Sequence, residues 1–277
     1  MSEAERDAEE SYLSPPIQRA ARLLRHIADG DTVENMSRTA RTLGINRTTL
    51  LRLLHTLEAE RFIEPRREGG GWRIGLGLIG LAAQAFFSGD LIQTAVPVLT
   101  HLAETLGLSA HLGVLDGSEV VYVVRRTPNH TFASNIRVGS RLPAHAANMG
   151  RIILAHLPPE RVERMYAAAT LTPVTTLTAA TQDELRAQLH KDRADGLAWS
   201  DGNYEPGISS VAAAVFDATD APVAALNVSG RTGDFGGAER RKAIAQAVLS
   251  SAEEISQRLG WRAPETIRGR SKLEAVD

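Results

Sequence analysis

The sequence predicts an α+β protein of two domains: a short N-terminal winged helix-turn-helix and a larger domain in which helices and hairpin strands intermix. Three observations lead there. The chain has 277 residues, a length that suits two modest domains better than one. Between residues 11 and 75, eleven arginines stand against seven carboxylates, a local charge of +4 in a chain whose net charge is −2. A basic head on an acidic body is the asymmetry of a polyanion-binding module joined to one with another task. Third, apolar residues recur at helical spacing through residues 17–58, and two short strand-like runs around a glycine tip follow them.

Composition narrows the class. Apolar residues make up 43% of the chain, enough for ordinary cores. Cysteine is absent, which excludes disulfides, thiolate metal sites and a cysteine nucleophile. The start carries Glu3, Glu5, Asp7, Glu9 and Glu10 and no apolar stretch, so no signal peptide is expected. Residues 1–13 are expected to form a disordered acidic tail and 262–277 a flexible one. The most apolar run, residues 74–87, is too short and glycine-rich to span a bilayer. A cytoplasmic protein with no membrane partner is expected.

In the head, Ile17, Ala20, Ala21, Leu24, Ile27 and Ala28 predict an amphipathic helix over 17–28, with Pro15 and Pro16 just ahead of it. A short helix over 36–43 follows, ended by Gly44. Asn46 then caps a third helix, 47–58, whose apolar stripe is Leu50, Leu53, Leu54 and Leu57. Thr48, Arg52 and His55 occupy its opposite side. A helix with a polar, cationic outer face after a short helix and a glycine turn is helix-turn-helix grammar. Arginine can fork onto guanine and threonine can meet a thymine methyl or a phosphate. The runs 61–65 and 72–74 flank Gly69-Gly70-Gly71 and predict a β-hairpin wing bearing Arg66, Arg67 and Arg73. The expected nucleic-acid-contacting set is Arg38, Arg41, Arg47, Thr48, Thr49, Arg52, His55, Arg66, Arg67 and Arg73.

The run from Thr39 to Glu58, containing Leu43-Gly44-Ile45, Arg52-Leu53-Leu54 and Thr56-Leu57, resembles the helix-turn-helix of IclR-family regulators. Trp72-Arg73-Ile74-Gly75 is similar to that family's wing exit. The resemblance extends from about Ser14 to Gly260. It implies a winged helix-turn-helix over 14–75, a linker helix over 76–89 and a GAF-like effector-binding domain over 90–261. It also implies double-stranded DNA and a small-molecule effector as partners, and a homodimer or dimer of dimers, with no cofactor.

Gly75-Leu76-Gly77-Leu78-Ile79-Gly80 matches G-x-G-x-x-G literally. A dinucleotide site needs a buried strand before it and an acid ending a second strand about 20 residues on. The run before it is a short wing strand, and residues 92–106 read as helix. The segment is therefore expected to be the wing exit and the start of a linker helix, 76–88, apolar enough to pack on a partner chain.

Beyond Ser88-Gly89-Asp90, helices are expected over 91–106, 148–155, 159–169, 182–196 and 238–259, the fourth opened by a Thr181/Glu184 capping box. Strands are expected over 110–115, 119–125, 133–138, 211–216 and 223–229, with Asp116-Gly117 as a hairpin turn. Residues 138–155, including Arg141-Leu142-Pro143-Ala144 and Met149-Gly150-Arg151, are similar to the family's effector-domain signature. They resemble the branch controlling aromatic-acid catabolism, which responds to protocatechuate or p-hydroxybenzoate, and imply a small organic acid as effector. A helix starting near Asn148 would aim its first amides at an anion. Asp201, Gly207, Ile208 and Ser210 resemble a second pocket segment, although Asn203 stands where glutamate is common. Asn227 and Ser229 alternate onto one strand face in a third. The expected effector set is His145, Asn148, Met149, Gly150, Arg151, Asp201, Ile208, Ser210, Asn227 and Ser229.

Enzyme chemistry finds little support. Ser209 and Ser210 form no G-x-S-x-G elbow, and His101, His111, His130, His145 and His156 show no H-x-x-x-H spacing. No catalytic residue and no metal site are expected. The sequence reads as a ligand-responsive transcription regulator on a palindromic operator, against the alternatives of a protein-interaction module with an orphan sensor domain and of a hydrolase.

Overall fold

The computed structural model describes residues 13–87, 90–128, 136–167 and 170–262. Apart from Leu13 and Arg262, the two expected tails lie outside them. Contacts divide the chain into two compact units that meet between residues 88 and 89.

In the first unit, helix α1 (Pro15–Ala28) opens on its two prolines, whose fixed φ suits a first helical turn. Its buried residues are Leu23 and Ile27. Ile17, expected to face inward, is 70% exposed. Six residues before Leu23, it is rotated roughly 120° away from the core stripe. Helix α2 (Met36–Thr42) and helix α3 (Arg47–Ala59) each begin on an asparagine cap. Asn35 Oδ1 accepts from Arg38 N at 3.0 Å, and Asn46 Oδ1 from Thr49 N at 2.7 Å. Between the helices, Gly44 takes the left-handed conformation, φ +64°, that the turn requires. Strands β1 (Ile63–Pro65) and β2 (Trp72–Ile74) pair antiparallel as the wing. Leu50, Leu54 and Leu57 of α3 meet Leu23, Ile27, Val33, Ala40 and Ile63 in one core. Helix α4 (Leu76–Phe87) follows directly. At the G-x-G-x-x-G segment, a Cβ on Gly75 or Gly77 would overlap the Arg61 backbone, so the glycines serve a chain crossing.

The second unit runs α5 (Asp90–Leu106), β3 (Ser109–Asp116), β4 (Glu119–Arg126), β5 (Arg141–Pro143), α6 (Asn148–His156), α7 (Pro159–Tyr166), α8 (Gln182–Asp195), β6 (Ala198–Asp201), β7 (Ile208–Phe216), β8 (Pro222–Arg231), a 3-10 turn (Thr232–Phe235) and α9 (Ala238–Arg258). The six strands form one antiparallel sheet, in the order β5-β4-β3-β8-β7-β6. One face is covered by α5 and α9, whose Leu99, Leu102, Ile244, Val248 and Ile255 pack on Leu112, Val211, Val215, Leu226 and Val228. The other face receives α6 through Met149, Ile152 and Ile153, which lie against Val120, Tyr122, Ala212, Ala214 and Ala225. Helices on both faces of an antiparallel sheet give the mixed α/β architecture expected.

The differences are local. Strands β5 and β6 were not expected; both are edge strands of three and four residues, too short to show a period. Of the strand expected over 133–138, residues 133–135 lie outside the described residues and 136–138 are not strand. The hairpin turn is Gly117-Ser118, closed by the Asp116↔Glu119 pair. Helix α7 ends at Tyr166, before the expected 169.

Candidate DNA interface and effector cleft

The exposed side of α3 carries Arg47, Thr48, Arg52 and His55, with Thr49 half-buried. Arg38 and Arg41 are exposed on α2, and Arg66, Arg67 and Arg73 on the wing. Four of these side chains have acidic neighbours: Arg38–Asp31 at 3.8 Å, His55–Glu58 at 3.9 Å, Arg66–Glu34 at 3.7 Å and Arg73–Glu64 at 2.8 Å. Exposed pairs of this kind are worth about 0–1 kcal/mol, so a phosphate can replace the carboxylate. Among the described residues, Arg47, Arg52 and Arg67 have no acidic partner.

In the second unit, cross-strand register builds a polar patch that no single segment contains. Ser109, Ser229, Ser210 and Ser200 stand opposite one another across β3, β8, β7 and β6. Two residues along, His111, Asn227, Ala212 and Ala198 form the next row on the same face. The first turn of α6 lands on these rows. Asn148 Nδ2 donates to Ser210 Oγ at 3.0 Å and to Ala198 O at 3.2 Å, and its Oδ1 accepts from Asn227 Nδ2 at 3.1 Å. Asn227 Oδ1 lies 2.9 Å from His111 Nδ1. The cleft is lined by His111, Tyr122, Asn148, Ser210, Asn227 and Ser229, with Ile208, Ser200, Tyr204 and Glu205 also against it. Its free space is about 30 Å³, roughly enough for one water. A cavity of about 330 Å³ lies among α6, α7 and α8, but its walls are mainly Leu154, Leu157, Val162, Leu185 and Leu189. Buried donors and acceptors converge on the smaller space.

Burial sets the electrostatics of the cleft. It lowers the His111 pKa to about 4, against the opposing effect of its hydrogen bond to Asn227 Oδ1, and it pushes the Tyr122 hydroxyl well up. The ring of His111 meets that of Tyr122 edge-on at 5.5 Å.

Of the ten residues expected from the sequence, the cleft gathers Asn148, Ile208, Ser210, Asn227 and Ser229. It does not gather the other five. Arg151 is 3% exposed and points away, with Nε 2.9 Å from Asp192 Oδ2 and a further bond to Trp199 O. Asp201 follows Ser200 in β6 and so faces the opposite side of the sheet. There it accepts from Ser209 Oγ at 2.7 Å and pairs with Arg241 at 2.8 Å, and that guanidinium holds its carboxyl below the usual range. His145 contacts Thr172 O at 3.2 Å and the Tyr166 ring edge. Met149 is fully buried in the core under α6. Gly150 leaves room for the Ala144 backbone rather than for a ligand, since a Cβ there would overlap it. Asn203, the departure from the family pattern, ties its loop by donating to Leu177 O at 2.7 Å and accepting from Asp201 N at 3.1 Å. Sequence reading missed His111, Tyr122, Ser200, Tyr204 and Glu205 as lining residues. The polar alternation Ser109-x-His111 inside an apolar strand was the available signal.

A helix-turn-helix with a cationic outer face, on one chain with a domain built around a buried polar cleft, defines a ligand-responsive DNA-binding transcription regulator. The family model described as "Bacterial transcriptional regulator IclR C-terminal" matches residues 83–257, and that described as "IclR helix-turn-helix domain" matches residues 16–67. The chain belongs to the IclR family of bacterial transcriptional regulators, which are not enzymes. It is 29% identical over 250 residues to the HTH-type transcriptional regulator XynR of Escherichia coli K12, covering 89% of this chain and 98% of that one. Its fold is similar to that of an IclR-type regulator from Alicyclobacillus acidocaldarius, with TM-score 0.79, 28% identity and coverage of 90% and 100%. It is also similar in fold to an IclR homolog from Microbacterium hydrocarbonoxydans described as complexed with 4-hydroxybenzoate, with TM-score 0.77, 23% identity and coverage of 88% and 98%. Among the described residues, no helix is long and apolar enough to cross a membrane.

Proposed function

We propose that the effector is a small organic acid, of aromatic or comparable size, held in the cleft between the sheet and the start of α6. One observation carries this: Ala147 and Asn148, where α6 begins, and a buried row of serine and asparagine side chains line the same space. Helix N-terminal amides favour an anion. Asn148, Ser210, Asn227 and Ser229 supply polar contacts, and Ile208 an apolar wall. The fold shared with a homolog described as complexed with 4-hydroxybenzoate supports an aromatic acid as one member of the class.

The cleft is nearly closed, so a ligand larger than water enters only as the walls part. That displacement distinguishes two states of the domain, and a ligand that favours one of them shifts DNA affinity. On the DNA side, α3 enters the major groove with Thr48 and Arg52 at base edges, while Arg47, Arg67 and the wing meet phosphate. Leu76, Ile79 and Leu81 of α4 are 73%, 52% and 52% exposed, which supports burial against a second copy. A two-fold dimer requires a palindromic operator with half-sites about 34 Å apart. Selection of duplexes from a random pool, followed by a thermal-shift screen with small organic acids, tests both halves. A recovered palindrome and stabilisation by at least one acid are expected. Recovery of no preferred duplex, or stabilisation by sugars or amines alone, overturns the respective half.

A further inference from the structure

His111 lies in the cleft with half of its imidazole unused, and the surrounding bonds fix where its proton sits. Ala198 O is a carbonyl and only accepts, so the end of Asn148 that lies 3.2 Å from it is the amide nitrogen. Asn148 Oδ1 is then the end that meets Asn227, and it receives Asn227 Nδ2 at 3.1 Å. Asn227 therefore turns its oxygen toward His111 Nδ1, 2.9 Å away. An amide oxygen at that distance places the ring proton on Nδ1. The ring is neutral, since burial lowers its pKa to about 4, and Nε2 consequently bears a lone pair. His111 is 1% exposed, and Nε2 is buried with no hydrogen-bond partner among the described residues.

A carboxylate presents only lone pairs and does not suit that nitrogen. A hydroxyl does, because it donates and stays uncharged when buried. Ala147 and Asn148, where α6 begins, line the same cleft, and a helix N-terminus favours a carboxylate. The cleft thus pairs an acceptor at His111 with the helix start read above as favouring an acid. We propose that the effector is a hydroxy acid and that His111 Nε2 accepts the hydrogen bond of its hydroxyl, making His111 the residue that selects for it. The inference rests on the acid-sensing role proposed above.

The test uses the full chain and matched probes: 4-hydroxybenzoate with benzoate and 4-methoxybenzoate, and lactate with propionate and 2-methoxypropionate, each titrated by calorimetry. At least one hydroxy acid is expected to bind roughly tenfold or more tightly than its deoxy and methoxy partners, because those leave the buried nitrogen without a donor. His111→Asn keeps a donor toward Asn227 and removes Nε2, so the preference should shrink to about twofold or less. A nitrogen-resolved NMR spectrum of the wild-type imidazole supplies a readout that needs no variant. It is expected to show the Nδ1–H form in free protein and a shift of unprotonated Nε2 when the hydroxy acid is added. A proton on Nε2 in the free protein, or equal binding of hydroxy and deoxy acids, overturns the role of His111 and leaves acid sensing in place. Unchanged preference in a folded His111→Asn variant does the same. Binding of no acid at all overturns both.

Discussion

Arg151 and Asp192 meet at 2.9 Å with both side chains 3% exposed, and Gln188 adds a bond to the same carboxylate at 2.8 Å. Burial pushes the Asp192 carboxyl up and the guanidinium pulls it back. Removing one partner strands the other, so Arg151→Ala should destabilise the chain by about 3–5 kcal/mol, while Arg151→Met with Asp192→Leu should cost much less. Urea unfolding of the two variants makes the comparison; equal losses would show that the cost comes from losing the pair and not from a stranded charge. The partner of Arg151 lies 41 residues away on α8, which is why its burial could not be read from the Met149-Gly150-Arg151 segment. A second consequence concerns pH. His111 and His156 are both held at about 4, chiefly by burial, whereas an unfolded histidine titrates near 6.5. Between those values the unfolded chain takes up protons that the folded chain refuses. Stability is therefore full above about pH 6.5 and falls as pH drops toward 4, by on the order of 3 kcal/mol per imidazole at the acid end. Asp192 works in the opposite sense, so the clean measurement is the difference between wild type and His156→Gln. The variant should lose less stability between pH 7 and pH 5, and parallel pH profiles would refute the assignment.

At the scale of the element, local rules were legible and pairing rules were not. The caps at Asn46 and Thr181, the stop at Gly196 and the wing around its glycine tip follow from residues a few positions apart. The serine row of the cleft is different. Each of Ser109, Ser200, Ser210 and Ser229 sits in its own strand, and only the registers of β3, β8, β7 and β6 bring them level. Register is set by the packing of whole strands, which no short window contains. The same parity argument separates Ser200 from Asp201, neighbours in sequence on opposite faces. Helix α3 allows stability and recognition to be told apart. Asn46→Ala removes the cap on Thr49 N and should cost about 1 kcal/mol of stability in chemical unfolding. Arg52→Ala touches no described ion pair and should leave unfolding unchanged while weakening specific operator binding by roughly 1–3 kcal/mol. Unaltered operator affinity in folded Arg52→Ala would remove α3 from the groove.

For the whole molecule, the two units carry separate cores, and the proposed regulation is a free-energy coupling between a site in each. Coupling of this kind has a property that needs no knowledge of the route. If an acid lowers operator affinity by some factor, operator DNA must lower affinity for the acid by the same factor. The typical range is about 5–150-fold. Two titrations therefore check one number: operator binding with and without saturating acid, and acid binding with and without saturating operator. Both must be made at one salt concentration, because counterion release, expected here from the arginines proposed to meet DNA, makes DNA affinity fall steeply with salt. Equal factors in the two directions are expected. An acid that binds the cleft yet leaves operator affinity untouched would mean that it favours neither state of the regulator, and the cleft would then be a binding site without a signalling role.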